Sequence, residues 1–124
     1  MSENNIQIDS IEDVNDELAN LRELQEDVLA QMSDLEADSF DEYRTQINEL
    51  ESEFNRAYSA LTDELEAFER YASQHALNQL RDVSQELHMI QSDVELQARW
   101  KRSNARRRFD RSVEASITAS EQFS

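Results

Sequence analysis

YRTQINELESEFNRAYSALTDELEAFERYASQHALNQLRDVSQELHMIQSDV, residues 43–94, decides the fold of this chain. Its apolar side chains fall at Tyr43, Ile47, Leu50, Phe54, Ala57 or Tyr58, Leu61, Leu65, Phe68, Ala72, Ala76, Leu80, Val83, Leu87, Ile90 and Val94. Every step is three or four residues, the spacing that keeps side chains on one face of a helix. The fourteen steps cover 51 residues, about 3.6 per step, which suits a straight bundle helix better than the 3.5 repeat of a supercoiled pair. Such a seam predicts packing against other helices. It does not describe a pocket, a metal centre or a catalytic cleft.

On the N-terminal side, residues 1–9 lack a helical period and read as a flexible leader. Asp9 with Glu12, and Ser10 with Asp13, supply overlapping helix-start signals. A first helix then runs to about Glu36 on the seam Ile11, Val14, Leu18, Leu21, Gln25, Val28, Met32 and Leu35, widened by Leu24 and Leu29. Gln25 either sets register between helices or sits at the edge of the interface, and the edge is favoured. Ser39 and Glu42 have capping-box spacing, so a turn near residues 37–42 makes the next helix antiparallel.

Whether that second helix turns again depends on Tyr71-Ala72-Ser73-Gln74-His75. Ser73 is a fitting cap, yet Ala76 occupies the position where a capping box has glutamate. The signals favour an unbroken helix to about Arg108. The fold expectation is an all-α, elongated helical hairpin with a long second helix, a coiled-coil-like bundle; the alternative is a three-helix bundle. An overhanging second helix would leave Leu80, Val83, Leu87, Ile90 and Val94 uncovered, with Leu77, Met89 and Leu96 nearby, and so predicts an oligomer interface.

Composition supports the helical reading. The 124 residues contain Gly 0, Pro 0 and Cys 0, so turns needing positive φ, glycine-rich phosphate loops, disulfides and thiolate chemistry all lack their usual residues. The first eleven residues have neither the basic flank nor the apolar block of a signal peptide, and no run reaches membrane-span length. The expected setting is cytoplasmic, or inside a virus particle.

The net charge of −16 is unevenly placed. Residues 1–98 carry 5 Arg against 25 acidic residues, a balance of −20, whereas residues 99–111 carry 7 Arg and Lys against 1 Asp, a balance of +6. Four units follow: the leader, an acidic helical body over 10–98, a basic helical segment over 99–111 and a flexible tail over 112–124. The candidate binding residues are Arg99, Trp100, Lys101, Arg102, Arg106, Arg107, Arg108, Phe109 and Arg111. At about 100° per residue, Trp100 and Phe109 fall on opposite sides of a helix and the cations surround it, unlike an amphipathic membrane-surface or calmodulin-type helix. The seam continues through Ala98 to Lys101, Ala105 and Arg108, so the packing face is expected to end where the positive charge begins.

No enzyme chemistry is expected. The carboxylates are accounted for by solvated helix faces; His75 follows Ala72 and His88 follows Gln85 at the positions where a di-metal bundle has glutamate. No metal, cofactor or small-molecule substrate is implied. The arginines suit docking on an acidic protein surface, contact with phosphates, or a solvated helix end with Glu95–Arg99 and Arg106–Asp110 pairs. A body at −20 repels nucleic acid, which favours a protein partner. The expectation is a scaffold-like oligomerisation or adaptor module, a homo-oligomer or partner of another helical protein. The alternative is a dimeric RNA- or DNA-binding regulator using residues 99–111. An acidic helical body with a basic end is an organisation similar to that of some viral scaffolding and assembly proteins, an architectural analogy without a shared motif.

Overall fold

The structure, a computed structural model, describes residues 8–122, and side chains from Ile8 to Arg111. It has three helices: α1, Ile11–Ser33; α2, Phe40–Glu69; and α3, Gln74–Gln122. At 1.5 Å per residue they measure roughly 35, 45 and 73 Å. Each helix packs against both others. Arg22 of α1 pairs with Glu86 of α3, and Gln25, one turn on, bonds Asp93 further along α3, so α1 and α3 run parallel with α2 antiparallel. The fold is an all-α three-helix bundle.

Each helix starts on a serine whose Oγ accepts the backbone N–H three residues on: Asp13 to Ser10 at 3.3 Å, Glu42 to Ser39 at 3.1 Å and Ala76 to Ser73 at 3.2 Å. The first two caps are reinforced from the acidic residue at that third position. Asp13 Oδ2 accepts the Asp9 N–H at 2.9 Å, and Glu42 Oε2 accepts the Asp38 N–H at 3.2 Å. The third lacks this reinforcement because Ala76 has no side-chain acceptor. The first helix ends at Ser33 rather than Glu36, with Asp34 as its C-cap.

The break before α3 corrects the favoured long second helix. Tyr71 and Ala72 donate backbone bonds to Phe68 and Glu69 at 3.1 and 3.4 Å, tight bonds spanning three residues, and Ser73 opens the new helix. Burial explains the outcome. Folding back covers Leu80, Val83, Leu87, Ile90 and Val94 against this chain's own α1 and α2, leaving them 1–7% exposed. At roughly 1.5–3 kcal/mol per large apolar side chain, that burial contributes on the order of 10 kcal/mol. The few helical hydrogen bonds given up at the turn contribute about 1 kcal/mol each. The five residues proposed as an oligomer interface therefore belong to the monomer's core, and the overhang that motivated that interface is absent.

The core runs the length of the bundle. Phe54, Met32, Ile47, Val14, Val28 and Val94 are its largest fully enclosed side chains, and among the described residues no polar or charged side chain is buried with them. Gln25 lies half-buried at the edge of the α1–α3 interface, donating through Nε2 to Asp93 Oδ2 at 2.8 Å. This is the edge position favoured above. Helix α3 runs on through the stretch expected as a tail as far as Gln122. Nothing there forbids helix, since glycine and proline are both absent. The leader over residues 1–9 lies mostly outside the described residues; of its last two, Ile8 packs against the core and Asp9 joins the first cap.

Candidate interaction surface on the third helix

Residues 99–111 are not an appendage but the continuation of α3, seated along the first turns of α2. Ala98 and Ala105 are 0% and 3% exposed, and Phe109 packs at the core margin, as does Phe40 at the start of α2. The packing face thus passes through the basic segment instead of ending at its border. Two alanines two helical turns apart let α3 lie close to its neighbours while longer cations project at the sides.

The arginines divide by position. Arg102 lies between the two alanines and is turned toward α2, where Nη1 donates to Glu51 Oε1 at 2.9 Å and to Asn48 Oδ1 at 3.0 Å. Its side chain is 25% exposed and that of Glu51 is 19%, so this ion pair is largely shielded from water. Arg102 is structural. Arg99 Nη2 bonds Glu95 Oε1 at 3.1 Å along the same helix, the pair anticipated from spacing. The anticipated Arg106–Asp110 pair does not form. Lys101 is partly buried with its Nζ 5.8 Å from the Trp100 ring centroid, and the Arg108 guanidinium lies 5.9 Å from that of Phe109, both within cation–π range. Arg106, Arg107, Arg108 and Arg111 are exposed, and among the side chains described, Ile8 to Arg111, none of the four has a carboxylate within ion-pair distance.

Beside them lies a second apolar face, distinct from the one that packs against α1 and α2. Met89 and Leu96, grouped by sequence with the apolar half of the helix, are 69% and 59% exposed, and Trp100 is 58% exposed. At about 100° per residue these three lie within an arc of roughly 40°, on the side of α3 opposite Val94, Ala98 and Ala105. Asp82 and Arg107 fall in the same arc and are exposed. The signal was present in the sequence: Met89 and Leu96 are out of phase with Leu87, Ile90 and Val94, and counting apolar residues without their angles hides this.

On its two flanks α3 is tied by polar contacts, Glu86 and Asp93 to α1 and Arg102 to α2. Its outer stripe is left unobstructed. The concavities elsewhere are open surface grooves, such as the one between α1 and α2 lined by Leu35, Leu50, Asp34, Glu49 and Glu53. Among the described residues no group of three or more His, Cys, Asp or Glu side chains could hold a metal ion, and no helix is long and apolar enough to cross a membrane. Compared with known proteins, the chain matches no protein-family model, no curated protein and no solved structure.

Proposed function

We propose that this protein is a non-enzymatic assembly or adaptor module whose basic stretch of α3 docks on an acidic protein surface. The observation that carries this reading is the row of four exposed arginines, Arg106, Arg107, Arg108 and Arg111, lying next to exposed Leu96 and Trp100. Clustered like charges on one helix repel each other, and an opposing acidic surface relieves that repulsion. Apolar side chains continuous with the cations suit a protein, which offers both carboxylates and hydrophobic surface. Phosphate backbones offer only the former kind of complement, and the acidic α1–α2 body opposes them over most of the molecule.

Partner capture tests this reading, using wild type and a variant with Arg106, Arg107, Arg108 and Arg111 changed to Glu. Arg102 is kept, because its loss would disturb the bundle. Retention of an acidic protein by wild type alone is the expected result. Retention of nucleic acid by wild type alone would instead support the regulator; equal capture by both proteins would leave the segment without a docking role.

A further inference from the structure

We infer that the outer stripe of α3 is a self-pairing surface on which a second copy of this chain docks antiparallel, α3 against α3. The inference rests on the reading of the basic stretch as a protein-docking element and names its partner. In chain order the stripe reads Asp82, Met89, Leu96, Trp100 and Arg107, with an acid at one end, three exposed apolar side chains between and a cation at the other.

Its spacing is self-complementary. Asp82 and Arg107 are equidistant from the midpoint between Val94 and Glu95, and so are Met89 and Trp100. One antiparallel register therefore sets Met89 against the partner's Trp100 and Asp82 against the partner's Arg107, each contact made twice by the two-fold axis. Leu96, less than a turn from the midpoint, approaches the partner's Leu96 across that axis. A parallel arrangement would bring the two arginine clusters side by side, a like-charge juxtaposition that disfavours it. The antiparallel one separates them to opposite ends and gives Arg107 a carboxylate, which it lacks among the described residues of its own chain. Met–aromatic contact is itself favourable, and the stripe brings Met89 to the only tryptophan of the chain.

Light-scattering mass with wild type and four variants tests the pairing. Wild type is expected at twice the chain mass. Asp82→Arg and Arg107→Asp each weaken the dimer, by about tenfold or more, through like charges placed opposite each other. The double exchange Asp82→Arg/Arg107→Asp restores it, because the register returns opposite charges to both ends. Leu96→Glu/Trp100→Glu gives a monomer that keeps every arginine. Since these positions are solvent-exposed in the monomer, unchanged helical circular dichroism in each variant separates lost pairing from lost folding. A monomeric wild type, or a dimer indifferent to the charge exchange, would overturn the inference. The docking reading fails separately: Asp82→Arg keeps Leu96, Trp100 and every arginine, so its capture of an acidic protein sustains docking without the dimer, and its failure to capture one while wild type dimerises overturns docking alone.

Discussion

Arg102 precedes Arg106 by a single helical turn, yet one is held between Glu51 and Asn48 while the other faces solvent. The difference is one of angle, since Arg102 projects beside Ala98 and Ala105 toward α2. Replacing Arg102 with Ala removes a charge-assisted contact that is three-quarters shielded and leaves Glu51 without its cation. A loss of roughly 1–3 kcal/mol in urea unfolding is expected, against less than about 0.5 kcal/mol for Arg106→Ala. A double-mutant cycle with Glu51→Ala should return most of the Arg102 effect as coupling. Composition located the cations but could not sort them. Sorting required knowing that the packing face persists through Ala105, where small side chains replace the leucines and isoleucines by which a seam is usually followed.

At the scale of elements, three serines begin three helices, and their caps differ in a way that can be measured. Ser10 and Ser39 are backed by Asp13 and Glu42, whose carboxylates also accept backbone N–H groups, whereas Ser73 acts alone. Ser→Ala at any of them should lower stability by about 0.5–2 kcal/mol. In thermal unfolding Ser73→Ala should lie within that range, while Glu42→Ala lowers the α2 cap further and Ala76→Glu raises stability by completing the missing box. The helical class, the first hairpin and two caps were legible from periodicity and spacing. The turn at Arg70–Ser73 was not, because its local signals nearly balance. What tips them is burial of Leu80 to Val94 against α1 and α2, a long-range term invisible in a five-residue window. The same limitation turned core residues into an interface and merged exposed Met89 and Leu96 with that face.

For the whole molecule, a net charge of −16 on a slender bundle means self-repulsion, with four ion pairs among the side chains described, Ile8 to Arg111, to set against it. Salt should therefore raise the melting temperature, since screening of the diffuse repulsion outweighs the weakening of a few surface pairs. Calorimetry at low salt and at about 0.5 M NaCl checks the sign, and a fall would show that the ion pairs dominate. Finally, no described residue adopts positive φ, and both interhelical turns are made from ordinary right-handed and extended backbone. Every described position is thus open, as far as its own backbone is concerned, to any L-amino acid except proline within the helices. Nothing in the chain's course depends on a glycine that mutation could remove. Drift in sequence is then limited almost wholly by side-chain fit, and this bundle can diverge far in its letters while retracing the same path in space.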